Sequence, residues 1–180
     1  MKPQKSKILV FVFMGGLFLS IFSVYAQTAQ EYTSDGDNYL DQGDFTQAIT
    51  EYTKAIEIDP QWILAYNNRA GAYSRQGDFP QAITDYNKCI EIDPNNASTY
   101  SSRGATYAHQ GNYTQAIADL TKAITLNPAD GDTYVDRSAV YYFSQEYDKS
   151  WSDAHKAEEL GSAVPSDLIE KLKQASGRDN

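Results

Sequence analysis

The sequence predicts an all-α fold, an α-solenoid of stacked helical hairpins with four two-helix units and a C-terminal capping helix. Three observations carry this prediction. The segments Gly43-Asp44-Phe45-Thr46-Gln47-Ala48-Ile49, Gly77-Asp78-Phe79-Pro80-Gln81-Ala82-Ile83 and Gly111-Asn112-Tyr113-Thr114-Gln115-Ala116-Ile117 recur at a spacing of 34 residues with neither insertion nor deletion. A fixed period marks one structural unit stacked on itself, because the loops of an ordinary globular domain drift in length. Within each unit, apolar and small residues recur at steps of three and four, the spacing of one helix face. Gly and Pro fall where those helices must stop.

The register extends through Tyr32, Tyr66, Tyr100 and Tyr134, through Tyr39, Tyr73, Tyr107 and Tyr141, through Ala55, Cys89, Ala123 and Ala157, and through Pro60, Pro94 and Pro128. The units span 29–62, 63–96, 97–130 and 131–162. In the second, Tyr66, Ala70 and Tyr73 share a face of a first helix that Gly77 ends. A second helix begins near Pro80, carries Ala82, Ile83, Tyr86, Cys89 and Ile90 on one side, and stops at Asp93-Pro94. Small residues at Gly36, Ala70, Gly104 and Ser138, and at Ala48, Ala82, Ala116 and Ser150, let the two backbones of each hairpin approach closely.

The fourth unit is degenerate: Gln145 replaces the turn Gly, Ser150 the small Ala, Trp151 the Ile and Ser162 the Pro. Terminal repeats are expected to be atypical. Beyond it, Val164-Pro165-Ser166 predicts a helix start with Ser166 as N-cap. Leu168, Ile169, Leu172 and Ala175 give a helix over 165–176 an apolar stripe, and residues 177–180 are expected to fray. Such a short helix is marginal alone and is expected to dock over the open end of the stack.

This array resembles the tetratricopeptide repeat (TPR) family, which shares the period and the aromatic, Gly, Ala and Pro pattern. The resemblance covers 29–162 and implies a right-handed superhelix whose first helices line a concave groove. It implies protein-protein interaction as the function and no cofactor.

The N-terminus is a separate object. Lys2, Lys5 and Lys7 precede an uncharged run from Ile8 to Tyr25, and Val24-Tyr25-Ala26 suits a signal peptidase, so residues 1–26 read as an export signal cleaved before Gln27. The alternative is a membrane anchor over 8–25. Both place the repeats on the non-cytoplasmic side, secreted or periplasmic in the first case, since the lysines stay inside. In the anchored case the membrane is touched only through this segment.

Charge bounds the partners. Loss of the three leader lysines takes the formal net charge from −9 to −12. A chain so acidic repels phosphate backbones, which argues against nucleic acid; either solubility or a basic partner segment accounts for the balance.

No constellation for chemistry stands out. There is no G-x-S-x-G, phosphate-binding glycine loop or H-E-x-x-H, and Asp35-Gly36-Asp37 and Asp130-Gly131-Asp132 lack the later ligands of a calcium loop. His109 and His155 occupy non-equivalent positions, so no metal set assembles. Cys89, the single cysteine, is read as a buried space-filling thiol. Twelve of the 14 tyrosines lie at repeating scaffold positions, leaving Tyr25 and Tyr142. The enzyme reading is therefore set aside.

Arg69, Arg103 and Arg137 recur in register with acids Glu51, Asp85, Asp119 and Asp153, but the first unit has Asp35 at the Arg position. Pairing within a hairpin would set Asp35 against Glu51. The expectation is therefore inter-repeat bridges Arg69 with Glu51, Arg103 with Asp85, and Arg137 with Asp119. The alternative pairs each acid three residues on, with Lys54, Lys88, Lys122 and Lys156.

Selectivity is expected where the repeats differ, on the outward side of the first helices: Thr33, Ser34, Asp37 and Asp41, then Asn67, Asn68 and Arg75, then Ser101, Ser102 and His109, then Val135, Asp136, Tyr142 and Phe143. Compared with TPR domains that clamp a terminal carboxylate, only Asn68 matches and the lysines are missing. The predicted groove is Asn67, Asn68, Arg75, Ser101, Ser102, His109, Tyr142 and Phe143, hydrogen-bonding a peptide and seating an apolar side chain against the last two. The expected function is a non-catalytic scaffold of the cell envelope or secretory space. A structural subunit using the convex face, or an accessory domain positioning a catalytic partner, are the alternatives.

Overall fold

The computed structural model describes residues 18–177, with side chains from residue 28. Residues 1–17 of the expected export segment and 178–180 of the tail lie outside the described residues. Among the described residues there are nine helices and no strand: α1 (Phe18–Asp41), α2 (Phe45–Ile58), α3 (Ile63–Gln76), α4 (Phe79–Ile92), α5 (Ala97–His109), α6 (Tyr113–Leu126), α7 (Gly131–Phe143), α8 (Tyr147–Glu159) and α9 (Ser166–Ser176). Helices pair as α1/α2, α3/α4, α5/α6 and α7/α8, and each hairpin packs on the next. The first helices α1, α3, α5 and α7 also touch in succession, which puts them on the inner side of the curve. At 24 residues α1 is longer than the 14 of α3, and it runs unbroken through the Ala26-Gln27 step.

Each hairpin closes in the same way. The turn residue adopts a left-handed backbone, with φ of 76° at Gly43, 87° at Gly77, 80° at Gly111 and 64° at Gln145. The next N–H then reaches back to the first helix: Asp44 to Tyr39, Asp78 to Tyr73, Asn112 to Tyr107 and Glu146 to Tyr141, at 2.8–2.9 Å. A left-handed residue here satisfies carbonyls that the helix end leaves open. In the first three hairpins the following side chain caps the second helix, Asp44 accepting from the Gln47 N–H at 3.0 Å, with Asp78 and Asn112 doing the same. Glu146 makes no such cap.

The interior of each hairpin is held by small residues meeting across it. Ala48, Ala70, Ala82, Ala116, Ser138 and Ser150 are fully buried. In the fourth hairpin Ser138 and Ser150 each donate to the other's carbonyl, at 2.8 and 2.7 Å, so the polar substitution costs no unpaired group. At Gly36 the approach is closest, since a Cβ there would stand 2.5 Å from the Tyr52 ring. Cys89 is buried, its Sγ 3.6 Å from the Ile63 carbonyl, and burial pushes the thiol up to about 12.

Helix α9 lies in register with the earlier first helices. Leu168 and Leu172 fall 34 residues beyond Tyr134 and Ser138 and pack with Trp151 over the end of the stack. Trp151 Nε1 donates to Ser176 Oγ at 3.1 Å. Ser166 is not the N-cap expected for it. Pro165 holds that place, because its fixed φ of −56° starts the turn, and Ser166 becomes the first helical residue without a side-chain cap bond.

Candidate functional site

The recurring arginines are bridged within their own hairpins, which corrects the inter-repeat pairing expected from sequence. Arg69 forks Asp85 through Nε and Nη2 at 2.7 and 2.8 Å, Arg103 forks Asp119 at 2.6 and 2.7 Å, and Arg137 forks Asp153 at 2.7 and 2.8 Å. The bridges Arg69 to Glu51, Arg103 to Asp85 and Arg137 to Asp119 do not form. Close backbones inside a hairpin bring the acid 16 residues downstream into bidentate range, a geometry that favours Arg.

Each guanidinium is also flanked by two tyrosines of its own helix. Tyr66 and Tyr73 lie 5.6 and 6.0 Å from Arg69, and Tyr100 and Tyr107 serve Arg103 likewise, as Tyr134 and Tyr141 serve Arg137. Half-buried tyrosines thus act as walls for a cation. The third nitrogen, Nη1, does cross to the preceding hairpin, where it donates to Thr53, Asn87 or Thr121. These polar acceptors stand two residues beyond the acids expected to take that role. Hydrogen bonding to Asp119 holds the Arg103 guanidinium above its ordinary range, and Asp153 does so for Arg137.

In the first hairpin the cation comes from the other helix. Lys54 sits 5.5 Å over Tyr32 and pairs with Glu51 at 2.8 Å, so Asp35 and Glu51 never need to share a site uncompensated. Among the alternative lysine pairs, only this one forms as spaced. Lys88 and Lys156 turn to Glu91 and Glu159, and Lys122 lies over Tyr100.

The inner face of the first helices separates the predicted groove residues into those already engaged and those free. Asn68 donates to Asp37 at 2.8 Å, and the same carboxylate accepts from Tyr52 at 2.7 Å, so Asn68 ties two hairpins together. Thr33 is buried, donating to the Ala29 carbonyl and accepting from Trp62. Ser102 lies in hydrogen-bonding range of the Tyr86 hydroxyl, and Ser101 accepts from Thr133 at 3.3 Å. Tyr142 is half-buried against the C-terminal cluster with Trp151 and Leu168, and its ring meets that of Phe143 edge-on at 5.4 Å.

Four predicted positions keep a presenting surface. Arg75 is exposed, with no ion pair among the described residues. Asn67 directs a buried Oδ1 that has no hydrogen-bond donor. His109 and Phe143 stack on the preceding hairpin, His109 against Phe79 at 6.3 Å and Phe143 against Tyr113 at 6.0 Å, each leaving its other side to solvent. Phe143 remains 58% exposed.

Three further residues belong to this face and were missed in the sequence reading. Leu64 is 50% exposed, a Cβ at Gly71 would meet nothing within 4 Å, and Asp132 is exposed near Asp136. Leu64 and Gly71 lie three or four residues from Asn67 and Asn68, so helical spacing alone would have found them. Asp136 is exposed, yet partial desolvation, then Asp132 and Asp130, pushes its carboxyl up to about 6, against a partial offset from His109.

A separate hollow of about 450 Å³ opens beside Tyr134, Arg137, His155 and Lys156. Its Arg137 and Lys156 already pair with Asp153 and Glu159. Among the described residues no group of three His, Cys, Asp or Glu side chains could hold a metal ion, and no helix is long and apolar enough to cross a membrane.

The tetratricopeptide repeat model matches residues 63–96 and 97–130, and a TPR repeat model matches 36–77. No curated protein matches the chain by sequence. Among solved structures, a crystal structure of MamA protein superposes with TM-score 0.71 at 24% identity over 85% of each chain. MamA from Desulfovibrio magneticus RS-1 gives 0.72 at 18% over 84% of this chain and 87% of that one. At these identities the likeness shows the fold alone. The first TPR of Spaghetti (RPAP3), solved with the HSP90 peptide SRMEEVD, gives 0.63 at 27% identity over 65% of this chain and 93% of that one.

Proposed function

The chain carries tetratricopeptide repeats, and on that premise we propose that it is a non-catalytic scaffold holding a segment of another protein on its concave face. The observation that carries this reading is the contrast between hairpin interiors, where Arg, Tyr and Asp are mutually satisfied, and the inner face, where Arg75, Leu64 and Phe143 are left exposed. An extended or helical segment would supply an acceptor to Arg75 and an apolar side chain to Leu64 or Phe143. The neighbour solved with a bound peptide supports a peptide as occupant.

We also propose export of the repeats, based on Lys2, Lys5 and Lys7 before the uncharged run 8–25. Sequencing the N-terminus of the protein recovered from its host tests this; a mature chain starting at Gln27 agrees, and one starting at Met1 recovered from the cytosol refutes it.

The binding reading is tested by comparing cross-linked partners of the wild type, of Leu64→Ser with Arg75→Ala on the inner face, and of Glu57→Ala with Glu158→Ala on the second helices. Loss of partners in the first variant alone is the expected result. Loss only in the second would move the site to the convex side.

A further inference from the structure

We infer that the exported form of this chain carries a pyroglutamate at its N-terminus, formed from Gln27. This rests on the export reading above and adds a covalent modification to it. Cleavage after Ala26 would make Gln27 the first residue, and a glutamine at a chain end has its side-chain amide carbon within reach of its own α-amino group. The α-amino nitrogen attacks that carbon and the new C–N bond closes a lactam ring. The old amide C–N bond breaks, and its nitrogen leaves as ammonia, carrying the proton lost by the amine. Both reactants sit on one residue, so no co-reactant is needed. The α-amino group of an ordinary chain end titrates at about 8, so part of it is neutral and nucleophilic at neutral pH.

The fold favours an uncharged chain end at this place. Helix α1 runs through residue 27 in the full chain, and Ala29, just beyond it, is fully buried against Ala55 and Ala65. Thr33 donates to the Ala29 carbonyl at 2.9 Å, so the helix is already fixed there. The new chain end would therefore stand at the first turn of α1, where N–H groups without helical partners disfavour an ammonium. Ring closure removes that charge. Thr28 is half-buried and Gln30 and Glu31 are exposed, so this end of the first hairpin lies at the molecular surface. With Ala29 packed, only residues 27 and 28 stand ahead of the folded array, and a lactam in place of the amine closes them to aminopeptidases.

The test takes the chain as its host produces it, digests it with trypsin and reads the mass of the peptide covering residues 27–54, which holds no internal Lys or Arg. That peptide should be one ammonia lighter than its sequence requires. Stepwise sequencing should be blocked, and pyroglutamyl aminopeptidase should restore it from Thr28 onward. A peptide that starts at Gln27 with full mass and a free amine overturns the inference and leaves export intact. A chain that begins at Met1, or at any residue other than Gln27, also overturns it, and one that begins at Met1 in the cytosol refutes export as well. Gln27→Ala should be cleaved at the same bond and keep its amine. A matching mass loss in that variant would place the missing ammonia elsewhere in the peptide and overturn the inference. An ammonia loss absent from freshly extracted protein and growing only on storage would do the same.

Discussion

The middle hairpins and the end hairpins reach the same geometry with different chemistry. In the second and third, Arg69 and Arg103 are walled by tyrosines and forked by Asp85 and Asp119, and glycine makes the turn. The first hairpin lacks that arginine and borrows Lys54 from its second helix, while the fourth keeps the arginine and lacks the glycine. What is preserved is therefore a set of physical conditions, namely a cation over a tyrosine ring and a left-handed turn residue. The residue that meets each condition is free to change at the ends, where one neighbour is missing.

The sharpest way to break this comparison is to remove the cation from each kind of hairpin. Asp119 is nearly buried, so Arg103→Ala should leave a carboxylate without its partner and destabilise the array by about 3–5 kcal/mol. Lys54 is 42% exposed in its side chain, so Lys54→Ala should cost about 1 kcal/mol or less. Urea denaturation followed by circular dichroism measures both. Equal losses would mean that the two cations do the same work, and the distinction drawn here would fall.

The close approach of helices supplies the next contrast. A Cβ at Gly36 would stand 2.5 Å from the Tyr52 ring, whereas Ala70 occupies the matching place in the second hairpin beside a buried Tyr86. Gly36→Ala should destabilise by about 1–3 kcal/mol through overpacking, despite the better helix former. An unchanged denaturation midpoint would show that the first hairpin has room to spread.

The turn residue gives a smaller effect of opposite sign. Gln145 holds φ 64° in a conformation that costs a residue with a Cβ, so Gln145→Gly should raise stability by about 1 kcal/mol. The reverse change, Gly111→Gln, should lower it by a similar amount. A destabilised Gln145→Gly would assign that side chain a role not visible in its contacts.

These contrasts also show which parts of the molecule could be read from sequence. Turn glycines, small facing pairs and the order of helices follow from local rules that repeat with the period. The bridges did not, because a repeat is ambiguous along its own axis: an acid in register lies 16 residues after Arg103 at Asp119 and 18 before it at Asp85. Only the three-dimensional closeness of the paired helices selects the first. Asn68 shows a second limit. Helical spacing put it at the inner face, yet Asp37 had already engaged it. Leu64 and Gly71 sit at the same spacing, but one is apolar and the other has no side chain, so neither letter marks a contact by itself.

Asp136 offers the smallest and most local test, and it joins the end hairpin to the groove. Its carboxyl is pushed up from the usual 3.8 to about 6 by partial desolvation and then by Asp132 and Asp130, with His109 acting in the other direction. A raised acid favours the protonated folded state, so its contribution to stability is fully present below about 3.8 and is lost as pH rises through about 6. Midpoints measured from pH 4 to 7 should therefore fall more steeply for wild type than for Asp136→Asn, which removes the titration. His109 offsets part of this shift, so a His109→Gln background removes its contribution. Parallel pH profiles for wild type and Asp136→Asn in that background would mean the carboxyl is as well solvated as any on the surface.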